Sequence, residues 1–202
     1  GPNNKETKID TKYPYALTKF LGEQLVIHWA KIYNMPNVSL RFFNAYGPNS
    51  RTTGAYGAVF GVFLAQKLAG KPLTIVGNGE QTRDFIHVYD LVDAVILAAK
   101  RGKNSEIYNI GSGKEVSVNY IAKIIGGNTV NIPKRPGEPD RSLAEISKIR
   151  SHLNWSPKIS IDKGVGMLIK IIDQWKGAPV WTPKSIERVT ENWFKYLTKD
   201  KN

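Results

Sequence analysis

Short apolar runs of strand type alternate along this chain with longer runs of helical period, and that alternation restricts the fold more than any other feature. "VSLRFF" (Val38 to Phe43), "LTIV" from Leu73, "EIYNI" from Glu106 and "TVNIP" from Thr129 are brief, rich in Val and Ile, and set between turn-forming residues, as buried strands are. Around them run "YALTKFLGEQLVIHWAKIY", "AVFGVFLAQKLAG", "YDLVDAVILAAKRG" and "VNYIAKIIG", then a basic amphipathic segment from Ile161 and "PKSIERVTENWFKYLTK" after Pro183. "AEISKIRSHLNWSPKIS" reads as a short strand followed by a helix. Helices interleaved with strands specify an α/β chain, and "SLRF" belongs in a parallel sheet. Local signals agree: Gly70 stops the second helix, Ser117 caps "VNYIAKIIG", and Lys100-Arg101 precede Gly102 where the helix dipole favours cations. Gly77-Asn78-Gly79 predicts a hairpin turn from "LTIV" into a second short strand at "RDFIHV".

In the first helix, Leu17, Leu21, Leu25 and Trp29 share one face. Tyr15 and Lys19 are four apart and therefore lie one turn apart, whereas Tyr13 points elsewhere. An ammonium beside a phenol favours the phenolate, which can then exchange a proton with a sugar or alcohol hydroxyl. With 9 tyrosines in the chain, one such spacing arises by chance, and a surface pair that merely supports the helix is the alternative. Context has to decide.

Zero cysteines exclude disulfides and thiolate metal sites, and fit a reducing cytoplasm. His28, His87 and His152 have no metal-ligand spacing, so no metal is expected. No apolar run approaches a membrane span, so no membrane is expected either. The net charge of +12 raises nucleic acid as a partner, but the excess is spread evenly: from residue 130 onward 14 Lys+Arg face 8 Asp+Glu, half of the total. No basic run is interleaved with aromatics, so nucleic acid is not expected. An evenly basic surface suits an anionic small substrate such as a phosphate ester.

Six segments stand in order: "YPYALTK", "RFFNAYGP", "GNGEQTRDFIHVYDLVDA", "YNIGSG", "RPGEPDRS" and "LNWSP". Together they resemble the extended short-chain dehydrogenase/reductase family, specifically its NAD-dependent nucleotide-sugar epimerases and dehydratases, over about Asn4 to Asp162. The resemblance implies NAD as cofactor and a nucleotide-sugar as substrate. It makes Tyr15 the acid/base at the sugar hydroxyl and Lys19 the residue that holds the nicotinamide ribose and lowers the tyrosine pKa, so both are catalytic and touch the cofactor. Asn44 would contact substrate, and Tyr46 with Gly47-Pro48 would shape the cofactor and sugar edge. Arg83 and Arg135 would bind the substrate diphosphate, for which a guanidinium fork is suited. Leu73, Thr74 and Ile75 would lie along the base, and Glu138 at the nucleoside ribose. Asp84 and Asp90 read as structural, ordering a loop and capping a helix, and His87 as a packing residue.

The family places an NAD-binding Gly-x-x-Gly-x-x-Gly and a Ser/Thr upstream of the tyrosine, and neither fits before Tyr15. The expected fold is therefore α/β: the C-terminal portion of a Rossmann-type dinucleotide domain plus a small α/β substrate-binding domain. Residues 1–57 would be the dinucleotide-domain remnant and 58–202 mainly the nucleotide-sugar-binding domain, with 84–101 returning to the Rossmann part. The implied activity is NAD-dependent epimerisation of a nucleotide-activated hexose such as UDP-glucose, in a homodimer of the full-length protein. A 4,6-dehydratase, or a catalytically inert substrate-binding fragment, stands as the alternative. The last forty residues carry no signature of the family.

Overall fold

A computed structural model describes residues 14–50, 59–134, 136 and 138–197, the side chains of Trp193 and Leu197 excepted. The chain divides into two compact units. The first comprises 1–45, 84–114 and 143–159, and the second 46–83, 115–142 and 160–202.

In the first unit, β1 (Val38–Phe42) and β6 (Glu106–Ile110) run parallel, with Val38 opposite Glu106 and Phe42 opposite Ile110. Helix α1 (Pro14–Ile32) and α3 (Val88–Arg101) pack on β1, and α5 (Ser147–Leu153) packs on β6 and α3. Their common core is Ile86, Leu91, Ala94, Ala98, Tyr108, Ile110, Ala144, Ile146, Ile149, Leu153 and Trp155, all buried. Helix α1 has two apolar faces. Ala16, Phe20, Glu23, Ile27 and Ala30, spaced four and three apart, form its less exposed side, and Glu23 reaches β1 through a two-pronged contact with Arg41 at 2.7 and 2.8 Å. The row Leu17, Leu21, Leu25 and Trp29 lies on the other side, 40% to 57% exposed.

The second unit is built on the parallel pair β3 (Leu73–Val76) and β8 (Thr129–Ile132), with α2 (Val59–Leu68) and α4 (Val118–Ile125) against β3 and α6 (Ile161–Lys170) against α4. Gln66 sits fully buried on α2. Its Oε1 accepts the Thr74 amide at 3.1 Å, on the edge of β3 that faces away from β8, and its Nε2 donates to Thr74 Oγ1 at 2.9 Å and to the Trp181 carbonyl at 2.7 Å. A side-chain amide thus completes a strand edge that would otherwise leave a buried N–H unpaired. Helix α7 (Pro183–Leu197) is the last described element.

The turn at Gly77 and Gly79, both with positive φ, does not form the expected hairpin. Strand β3 pairs with β8, while β4 (Thr82–Arg83) pairs antiparallel with β7 (Val116–Ser117), and β5 (Phe85–His87) pairs with β2 (Asn44–Tyr46). The glycines turn the chain into a different sheet because each following strand finds its partner far along the sequence. The strand expected at "AEIS" is a single bridge residue, Ala144. Ser117 caps α4 as expected, its Oγ accepting the Tyr120 amide at 3.1 Å. Among the described residues no helix is long and apolar enough to cross a membrane.

Candidate functional site

Pro14 opens α1, and the helix sets Tyr15 and Lys19 one turn apart on an exposed stretch: Tyr15 is 74% exposed and the Lys19 ammonium stands 5.4 Å from the centre of its ring. Thr18 Oγ1 donates to the Tyr15 carbonyl at 2.9 Å and steadies that turn. Both side chains can therefore reach a ligand in solvent.

The same unit carries Asn44 just beyond the C-terminal end of β1. Its amide N–H and its Nδ2 both donate to the Asp84 carbonyl, at 3.0 and 3.2 Å. The Asp84 carboxylate, wholly buried, joins three segments. Oδ1 accepts the Ser112 amide at 2.6 Å and its hydroxyl at 2.7 Å; Oδ2 accepts the amides of Gly113 at 2.9 Å and Ala144 at 3.1 Å. The approach is close enough that a Cβ on Gly111 would lie 2.7 Å from Asp84 Oδ2, which only glycine avoids. Asp84 thus fixes the ends of the parallel strands β1 and β6, the edge where open α/β sheets present ligands.

Asp90 is structural as expected, but in another way: its Oδ2 accepts the amides of Lys158 and Ile159 at 3.0 and 2.8 Å. The cap of α3 is His87, whose Nδ1 accepts the Tyr89 amide at 3.3 Å. Burial pushes the imidazole pKa down, against an upward pull from Asp90, which suits a ring that must stay neutral to accept at Nδ1.

The second unit holds the remaining candidates. Arg83 Nη2 donates to Glu138 Oε1 at 3.1 Å and Nη1 to the Thr82 carbonyl at 2.8 Å. Two expected ligand residues are therefore brought together, while Arg135 lies outside the described residues. Beside them Arg141 Nε donates to Glu115 Oε1 at 2.9 Å and Thr82 Oγ1 to the same oxygen at 2.8 Å. These bonds, with the Arg141 charge, hold the Glu115 carboxyl down at about 2. Leu73, Thr74 and Ile75 are buried, Thr74 with both its hydroxyl and its amide engaged by Gln66. Tyr46 is 2% exposed, stacked on Phe60 with ring centres 4.5 Å apart. Its hydroxyl occupies the place where a Cβ on Gly164 would be.

Sequence reasoning missed Gln66 and the pairing of Glu138 with Arg83. A glutamine inside the apolar stretch "FLAQKLAG" was the available signal for the first. For the second there was none, since the residues are 55 apart. Among the described residues no group of three or more His, Cys, Asp or Glu could hold a metal ion.

The fold is that of an α/β chain whose first unit carries a Tyr–Lys pair one helical turn apart. The chain belongs to the NAD dependent epimerase/dehydratase family, whose profile matches residues 1–111. It is similar to a putative UDP-glucose 4-epimerase of Methanocaldococcus jannaschii, 34% identical over 83% of this chain and 56% of that protein. A dTDP-glucose 4,6-dehydratase of Streptomyces niveus is 27% identical, over 90% and 54%. The crystal structure of UDP-glucuronic acid 4-epimerase from Bacillus cereus with UDP-glucuronic acid and NAD superposes with a TM-score of 0.78 at 32% identity, covering 86% of this chain and 57% of that one. The chain spans about half the length of the relatives it matches.

The family is NAD-dependent. Exposed Tyr15 and Lys19 fit the nicotinamide end of that cofactor.

Proposed function

We propose that this chain supplies the Tyr–Lys pair and the nucleotide-sugar-binding part of an NAD-dependent enzyme that epimerises a nucleotide-activated hexose of the UDP-glucose type. The observation that carries the reading is the Lys19 ammonium over the exposed Tyr15 ring, in a chain of this family. NAD, when bound, supplies reversible hydride acceptance at a sugar carbon. Tyr15 takes the proton from the hydroxyl on that carbon and returns it, while Lys19 holds the nicotinamide ribose and keeps positive charge beside the phenol. Asn44, held by Asp84, orients the sugar. Arg83, with Arg135, takes the diphosphate, and Glu138 takes the nucleoside ribose. Leu73, Thr74 and Ile75 lie along the base, and Tyr46 shapes the cofactor and sugar edge.

The first unit, with residues 84–114 and 143–159 besides 1–45, is read as the remnant of the dinucleotide domain, and the second as the nucleotide-sugar domain. The exposed row Leu17, Leu21, Leu25 and Trp29 supports this reading, because a helix apolar on two faces is one that is covered on both. The complete protein is read as a cytoplasmic homodimer.

The name of the Streptomyces relative keeps 4,6-dehydration as the second reading. Incubating the complete enzyme with UDP-glucose and NAD separates them: UDP-galactose supports epimerisation, a 4-keto-6-deoxy product supports dehydration, and no turnover of any nucleotide-sugar overturns both. If the 202-residue chain alone binds UDP but not NAD, its role is substrate binding, with the cofactor held elsewhere.

A further inference from the structure

Tyr15, Lys19 and Glu23 form one row on α1, each a single helical turn beyond the last. Tyr15 and Lys19 are exposed, whereas Glu23 lies on the side turned toward β1, its side chain only 11% exposed. Lys19 thus stands between a phenol one turn behind it and a carboxylate one turn ahead. Both are within reach of its ammonium. A carboxylate shielded from water demands a cation more strongly than an exposed aromatic ring does, so an unpaired Glu23 would win that competition.

Lys19 nevertheless turns to the ring, its ammonium 5.4 Å from the centre of Tyr15. Arg41, on β1, is what leaves it free to do so. Its Nε donates to Glu23 Oε2 at 2.7 Å and its Nη2 to Oε1 at 2.8 Å, so one planar fork takes both oxygens of the carboxylate. The guanidinium is itself shielded, its side chain 24% exposed, which strengthens the pairing relative to one in open water. A lysine in its place could grip a single oxygen as a point charge and would leave the other for Lys19.

We infer that Arg41 is a positioning residue for the Tyr15–Lys19 pair: by occupying both oxygens of Glu23 it keeps that carboxylate from drawing Lys19 away from the phenol. This rests on the reading of Tyr15 and Lys19 as the catalytic pair. The charges along the row are then divided. Arg41 cancels Glu23, and the Lys19 charge stays uncompensated beside the phenol, where it favours the phenolate.

Turnover of UDP-glucose by the complete enzyme, with kcat and KM measured separately, tests it. Arg41→Met, which keeps a long side chain and removes the charge, should lower kcat about tenfold, the effect of losing one opposite charge beside a phenolate. KM for UDP-glucose should not change. Adding Glu23→Gln to Arg41→Met should restore kcat to within about twofold of wild type, because no carboxylate then remains to take the ammonium. Glu23→Gln alone should keep kcat for the same reason. A pair that merely holds α1 on β1 gives a different pattern, since every variant lacking the ion pair then loses activity alike. An unrestored double variant, or a loss in Glu23→Gln as large as in Arg41→Met, would overturn the inference, as would unchanged kcat in Arg41→Met. Should Arg41→Met not fold, Arg41→Lys carries the same comparison, with and without Glu23→Gln. If Lys19→Met keeps full turnover, the reading of the catalytic pair itself fails, and the role of Arg41 falls with it.

Discussion

Replacing Asp84 by Ala removes the acceptor of three backbone amides, those of Ser112, Gly113 and Ala144, and of the Ser112 hydroxyl. The hydroxyl has a second acceptor in the Lys114 carbonyl at 3.3 Å, so only the three amides are orphaned. Ala144 is buried, whereas Ser112 is half-buried and Gly113 exposed, so water can re-pair those two amides in part; at about 1–3 kcal/mol for each N–H left buried and unpaired, the amides cost roughly 2–6 kcal/mol. Removing a buried carboxylate also relieves a desolvation cost, so the net loss expected is about 2 kcal/mol. Against a total stability of about 5–15 kcal/mol, that is a large fraction. Urea unfolding should show a lower midpoint at unchanged slope. Amide exchange at Gly113 and Ala144 should accelerate more than at Ile149, deep in the same core. Asp84→Asn, which keeps one acceptor oxygen, should fall between. A loss under about 1 kcal/mol, or unchanged exchange at Gly113 and Ala144, would refute the idea that this carboxylate ties the strand ends together.

Three further outcomes are expected. Gly164→Ala places a Cβ on the Tyr46 hydroxyl, and displacing that ring should cost about 1–3 kcal/mol in thermal or urea unfolding; a neutral change would mean that Tyr46 is free to move. His87, held below its ordinary 6.5 by burial, refuses a proton that the unfolded chain accepts, so stability should fall as pH drops below about 6.5. His87→Asn retains a capping oxygen and should flatten that fall; an identical pH profile would contradict the assignment. Glu115 sits at about 2 instead of 4.5, so its contribution is complete above 4.5 and lost as pH falls toward 2. An NMR titration should place its midpoint near 2 and find it raised in Arg141→Ala, and a wild-type midpoint near 4.5 would refute the pairing.

Much of the fold was legible because its determinants are local. Gly70 and Ser117 mark their helix ends, and the β-branched runs at Val38, Leu73, Glu106 and Thr129 all became strands. Pairing was not legible. The hairpin read at Gly77 to Gly79 failed because a turn fixes chain direction, whereas β3 and β8 lie 56 residues apart in register, Leu73 opposite Thr129. Helix α1 shows a related limit. Its i, i+4 row Leu17, Leu21, Leu25 and Trp29 reads as one apolar face, yet the face turned toward β1 is the Ala16, Phe20, Glu23, Ile27 and Ala30 row. Periodicity finds an apolar face and does not say what covers it. At the candidate site, Tyr15 and Lys19 met because four residues make one turn of helix. The Asp84 network and the Arg83–Glu138 pair needed the tertiary fold, since every bond in them spans 28 or more residues.

The most direct test of the account is the absorbance of reduced nicotinamide in the complete enzyme on adding UDP-glucose, compared between wild type and Tyr15→Phe. The phenylalanine variant keeps the helix and the ring but has no proton to exchange. The account predicts cofactor reduction and turnover in the wild type and a loss of both by about 10²-fold or more in the variant; unchanged turnover in Tyr15→Phe would contradict it.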